Sequence, residues 1–131
     1  MLLLRSRERI MECFRPILKQ LGLTEQQWRV IRALESLGSC NAQTLAKQSA
    51  ILSPSLSRIL NHLEDKGYVL RRTSSADQRE YVLRLSAKGK RLYSEGGKKI
   101  EARYDEIQEK LCPEKMNTLY AILGEISRTD F

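Results

Sequence analysis

A chain of 131 residues, 41% apolar and 30% charged, suits one globular domain with a core of its own. The net charge of +7 is uneven: residues 1–37 hold 7 basic and 4 acidic side chains, residues 38–91 hold 10 and 4, and residues 92–131 hold 6 and 8. A cationic middle is the footprint expected for a nucleic acid, although charge alone fits RNA or a membrane surface as well.

The four apolar residues Met1–Leu4 run straight into Arg5, too short for a signal or a membrane span. A first helix is expected from about Leu3 to Leu21, with Ile10, Phe14, Ile17, Leu18 and Leu21 on one face. Pro16 should kink it and Gly22 end it. Thr24 opens a second helix, with Gln27 completing a capping box and Leu23 against Trp28 as a hydrophobic staple. Trp28, Ile31, Leu34 and Leu37 carry the apolar period to Gly38. Asn41 caps a short third helix, Ala42 to Gln48, with Leu45 and Ala46 inward. A tight turn, Ser49 to Leu52, leads out of it.

The next helix, Ser53 to Lys66, organises the chain. Ser53 reads as its N-cap, Pro54 as the first helical residue and Gly67 as the left-handed residue past its end. Leu56, Ile59, Leu60 and Leu63 form one buried stripe. The other side carries Ser55, Ser57, Arg58, Asn61 and His62, short hydrogen-bonding groups with one guanidinium and no acid. Such a face can approach a polyanion and read base edges. An ordinary solvated face has the same look, and the neighbouring elements decide between them. Two short helices, a turn and a polar-faced second helix make a helix-turn-helix. Residues 68–73 and 81–85 then read as strands, and the polar residues 74–80 between them as a basic tip. Arg79 in that tip suits a narrow minor groove, and Asp77 is placed to orient it. Arg72 extends the basic surface along the first strand.

Ser86 caps a helix running to about Leu111. Lys88 lies in its first turn, where a cation opposes the helix dipole unless an anion such as phosphate is near. Gly96 and Gly97 inside this helix permit either a bend or a close helix contact. Pro113 starts a last helix striped by Met116, Leu119, Tyr120, Leu123 and Ile126. The fold expected is mainly α with a small β-hairpin: a winged helix-turn-helix lobe over about 38–91, flanked by helices at about 1–22 and 92–131 that pair between chains. Cys13, Cys40 and Cys112 show no zinc spacing and fit a reducing cytoplasm. No metal and no cofactor is expected. His62 is the only histidine and no nucleophile constellation stands out, so the chain does not read as an enzyme.

The run Asp77-Gln78-Arg79-Glu80-Tyr81-Val82-Leu83-Arg84-Leu85-Ser86-Ala87-Lys88-Gly89 resembles the wing signature of the MarR transcription regulators, an Asp-x-Arg tip leading into a strand and a Leu-(Ser/Thr)-x-x-Gly helix start. Pro54-Ser55-Leu56-Ser57-Arg58 and Leu63-Glu64-x-Lys66-Gly67-Tyr68-Val69 are similar to that family's recognition helix and its exit. The likeness covers essentially the whole chain, 1–131, as one MarR-type domain. Phe14-Arg15-Pro16-Ile17-Leu18 and Leu23-Thr24-x-x-Gln27-Trp28-Arg29-Val30-Ile31 are similar to the branch controlling homoprotocatechuate and 4-hydroxyphenylacetate catabolism. A branch regulating efflux in response to fatty acids shares much of the same block.

The resemblance implies a cytoplasmic homodimeric repressor on a palindromic operator of double-stranded DNA, released by a small aromatic carboxylic acid. DNA contacts are expected from Ser53, Ser55, Ser57, Arg58, Asn61, His62, Arg72, Asp77, Arg79 and Lys88. Phe14 and Trp28 are expected to form a flat apolar slot, with Arg15 and Arg29 supplying a cation for the acid's carboxylate. The alternatives are a repressor of the same type answering to fatty acids or thiol oxidation, and a non-specific nucleic-acid-binding protein.

Overall fold

The computed structural model describes residues 1–73 and 81–131. In chain order the elements are α1 (Leu2–Gln20), α2 (Glu25–Leu37), β1 (Ser39–Cys40), α3 (Ala42–Ser49), α4 (Ser53–Asp65), β2 (Val69–Thr73), β3 (Tyr81–Leu85), α5 (Ala87–Leu111) and α6 (Pro113–Arg128). Among the described residues no helix is long and apolar enough to cross a membrane.

Local signals set most of the boundaries. The capping box at α2 is complete: Gln27 N–H donates to Thr24 Oγ1 at 3.1 Å and Thr24 N–H to Gln27 Oε1 at 3.0 Å. Asn41 Oδ1 accepts from Thr44 N–H at 2.8 Å to start α3. Gly67, at φ 77°, closes α4 in a Schellman motif: its own N–H reaches the Glu64 carbonyl at 2.8 Å and that of Tyr68 reaches Leu63 at 2.9 Å. The α3–α4 turn has the same form, but its left-handed residue is Ala50, at φ 52°.

Three sequence expectations are corrected. Ser53 is not the N-cap of α4. The first intrahelical bond runs from Leu56 N–H to the Leu52 carbonyl at 2.9 Å, so Leu52 caps without a side-chain bond and Pro54 falls one place deeper. The sheet has a third strand: the two residues of β1 pair with β3, giving the order β1-β3-β2. Leu37, expected in the core, is exposed at the end of α2. Pro16 lies within α1, which runs on to Gln20 as one helix, its side chain on the solvent side.

One core joins the lobes. Phe14 and Leu18 of α1, Trp28, Ile31 and Leu34 of α2, Leu45 of α3, the full α4 stripe, Val69, Leu83, Leu85 and Ile100 form one buried cluster. Gly96 takes the close-contact reading. A Cβ there would stand 2.6 Å from Leu21 and 2.9 Å from the Trp28 ring, whereas one at Gly97 would meet nothing within 4 Å. Gly89 is tighter still, with its missing Cβ position 2.2 Å from the Tyr68 carbonyl oxygen. That approach locks the start of α5 onto the exit of α4.

Candidate functional site

The outer face of α4 is built by period alone. With Leu56, Ile59, Leu60 and Leu63 buried, the intervening Ser57, Arg58, Asn61 and His62 are left exposed and Ser55 half-buried. Ser57 Oγ donates to the Ser53 carbonyl at 3.3 Å, back-bonding that leaves its lone pairs outward. Arg58 and His62 border a shallow depression with Ser55, Thr24 and Gln26, where the N-terminus of α2 meets the outer face of α4.

The wing strand divides its two arginines between two faces. Arg72 pairs with Val82 and is exposed, as expected. Arg71 pairs with Leu83, so alternation turns it toward the helix. Its guanidinium lies 2.9 Å from Glu64, 3.4 Å from Asn61 Oδ1 and 5.3 Å from the centre of the Tyr81 ring. Asn61 therefore has a structural partner as well as an exposed position. Asp77 and Arg79 lie outside the described residues.

Lys88 has partners inside the chain. Its ammonium donates to the Lys66 carbonyl at 2.7 Å and sits 4.9 Å from the centre of the Tyr68 ring. The negative C-terminal end of α4 thus offsets the conflict with the α5 dipole. Ser86 Oγ accepts from Gly89 N–H at 3.0 Å while donating to the Gly67 carbonyl. Together these bonds brace the exit of α4.

A second feature lies between α1, α2 and α5. A cavity of about 200 Å³ is lined by Arg7, Met11, Phe14, Leu18, Glu25, Trp28, Arg29, Arg32, Ile100 and Tyr104. Phe14 packs on Tyr104, another wall of the cavity, with ring centres 4.7 Å apart, and Trp28 stacks on Tyr93, outside the lining, at 5.5 Å. Phe14, Trp28 and Arg29 belong to it, as expected. Arg15 does not: it is clamped between Glu8 and Glu25, its Nε 2.8 Å from Glu25, and borders a separate, shallower depression. The hydrogen bond from Arg15 holds Glu8 below the usual carboxylate range, and the same bond raises Arg15.

The cations that replace Arg15 are Arg7 and Arg32. Arg7 is bonded to the same two carboxylates as Arg15, Glu8 at 2.5 Å and Glu25 at 2.9 Å. Arg29 and Arg32 form no ion pair among the described residues, so their charge is the part of the lining that favours an anion. Arg7 and Arg32 are both legible from helical period. Arg7 precedes Phe14 by two turns, and Arg32 follows Trp28 by one. Nearness in sequence favours Arg15, which lies next to Phe14 and so points to a different side of α1.

The model of the MarR family matches residues 23–81. The chain is 45% identical to the HTH-type transcriptional regulator FarR of Neisseria gonorrhoeae, over 98% of this chain and 88% of that one. It is 42% identical to the homoprotocatechuate degradative operon repressor of Escherichia coli, over 94% of this chain and 83% of that one. Among solved structures it is similar to NadR in complex with 4-hydroxyphenylacetate, at 46% identity and a TM-score of 0.86, covering 98% of this chain and 91% of that one. With a helix-turn-helix, a wing strand pair and relatives matched along nearly the whole length, the chain belongs to the MarR family of transcriptional regulators.

Proposed function

We propose that this regulator is a homodimeric repressor of a palindromic operator, released by a small aromatic carboxylic acid, in control of an aromatic catabolism operon. The observation that carries the reading is the cavity, where Phe14, Trp28 and Tyr104 meet Arg7, Arg29 and Arg32. A flat ring needs apolar walls, and a carboxylate needs planar donors of the kind guanidinium provides. NadR with 4-hydroxyphenylacetate bound, and a repressor named for homoprotocatechuate degradation, lend support from two relatives. The α4 face with Ser55, Ser57 and Arg58 reads the major groove, and Arg72 and the wing follow the backbone beside it.

The test is a selection of bound duplexes from random DNA, then titration of the selected complex with 4-hydroxyphenylacetate and homoprotocatechuate. Palindromic sites and release by either acid are the expected results. Arg7→Ala and Arg32→Ala should each blunt release, and Arg15→Ala should act only indirectly, through Glu25. Selected sites without symmetry would remove the dimeric operator. No release at millimolar acid, together with release by a long-chain fatty acid, would move the effector to the fatty-acid class. Burial pushes the Cys40 thiol up and away from the reactive thiolate, which argues against Cys40 itself as a sensing thiol.

A further inference from the structure

Arg29 borders the cavity on one side and, on the other, a surface depression shared with Gln48, Ser49 and Ala50 of the α3–α4 turn. Its Nη1 donates to the Ala50 carbonyl at 3.2 Å. Ala50 is the turn residue in the left-handed region, a conformation that a residue with a Cβ keeps only where its neighbours over-determine it. The N–H groups of Ala50 and Ile51 close the turn onto Lys47 and Ala46 at 3.2 and 3.0 Å. This turn sets how α4 stands relative to α2. The guanidinium of Arg29 is under-used: its Nε is buried and has no hydrogen-bond partner among the described residues. A guanidinium carries five donors in a fixed fork, so a new partner on one edge redirects the whole plane.

We propose that Arg29 is a positioning residue through which the cavity sets the α3–α4 turn. With the cavity empty, Arg29 holds the Ala50 carbonyl and the turn keeps α4 in its DNA-reading attitude. A carboxylate in the cavity gives the buried Nε an acceptor, draws the guanidinium away from Ala50 and leaves the strained turn unheld. The acid then prefers the state in which α4 is misplaced, as linkage requires of any ligand that releases DNA. The coupling is reciprocal, so DNA must weaken acid binding by the same factor. This rests on the effector reading of the cavity, but its first half, the hold on the turn, does not need a ligand.

The experiment uses the full chain with Arg29→Met, which keeps the stem and removes the donors, and Arg29→Lys, which keeps one donor. Without acid, Arg29→Met should bind the selected operator about tenfold more weakly. Its Ala50 and Ile51 amides should exchange faster than in the wild type, and Arg29→Lys should recover both in part. Trp28 fluorescence, from the single tryptophan, should show that Arg29→Met needs more 4-hydroxyphenylacetate for saturation than the wild type, and at saturating acid its further loss of DNA affinity should largely disappear. A merely structural residue would lower the melting temperature and leave the ratio of operator affinities with and without acid at its wild-type value, which overturns the proposal. If the acid fails to bind the wild type, the effector reading falls, and the ligand-free arms decide alone. Wild-type operator affinity and unchanged exchange at Ala50 and Ile51 in Arg29→Met would then overturn the hold on the turn.

Discussion

At the scale of single residues, two backbone positions carry stability consequences with opposite signs. Ala50 adopts φ 52° with no side-chain reason to do so. A left-handed alanine costs about 1–2 kcal/mol against the right-handed form, and glycine avoids that cost while losing more entropy on folding. Ala50→Gly should therefore stabilise the chain by about 0.5–1 kcal/mol in a urea titration, and a lower midpoint would contradict the strain. Gly89→Ala should do the reverse. Its Cβ would fall 2.2 Å from a backbone carbonyl oxygen, which cannot rotate aside as a side chain can. A loss of about 2–3 kcal/mol is expected, at the upper end of overpacking costs, with the α5–α4 brace opening first. On the recognition face, Arg58→Ala should remove about 1–3 kcal/mol of discrimination between operator and scrambled duplex, the worth of one bidentate contact to guanine. A gel shift showing wild-type selectivity would displace Arg58 from the reading of bases.

At the scale of elements, the wing is tied to the helix it flanks. Arg71 on β2 spans Glu64 and Asn61 on α4 and packs near Tyr81 on β3, and its Nε is buried without a partner among the described residues. The pair is partly shielded, which makes it worth more than an exposed one, and its removal leaves Glu64 half-buried and unpaired. Arg71→Met should cost about 1 kcal/mol in stability and about tenfold in operator affinity, because the wing loses its angle to α4. Sequence preference at the bases touched by α4 should survive. A footprint that shrinks at the recognition half-site instead of at its flank would refute this division.

Much at this scale is legible in the sequence. The α4 stripe, the Thr24 box, the Asn41 and Ser86 caps and Gly67 all rest on short-range signals that tertiary contacts do not override. What escapes depends on partners distant in the chain. The two residues of β1 have no period to read and are defined only by pairing with β3. Lys88 looks misplaced against its own helix dipole, although its partner is the carbonyl of Lys66, 22 residues earlier. The place of Arg7 and Arg32 beside Phe14 and Trp28 follows from helical period, but that these two faces meet around one cavity, while Arg15 goes to Glu8 and Glu25, follows only from the packing of the helices.

At the scale of the molecule, the two ends of the chain expose what a monomer would bury. Met1, Leu2 and Leu3 are 85%, 80% and 67% exposed, and Tyr120, Ile122 and Ile126 of α6 stand at 45–51%. Met116 is the one residue of the 16 in α6 that is buried. An apolar groove runs between Leu3, Leu4, Ile10 and Met11 on α1 and Leu119 and Leu123 on α6. Continuous apolar surface of this kind marks an interface in a soluble protein. The recognition face supplies the second argument, since one helix and one wing reach few base pairs and a two-fold pair doubles them in register with a palindrome. Leu123 is the place to test it. It is 37% exposed and outside the central core, so an acid there should spare the lobe while burying a charge in any interface. Leu123→Asp should shift the mass by light scattering from about twice 15.1 kDa to a single chain. Operator affinity should fall by about a hundredfold as the second half-site contact becomes bimolecular, while the helical signal and the melting of the core remain close to wild type. A Leu123→Asp chain that stays dimeric and holds the operator would mean that α6 does not build the interface, and that the exposed leucines at the start of α1 carry the pairing without it.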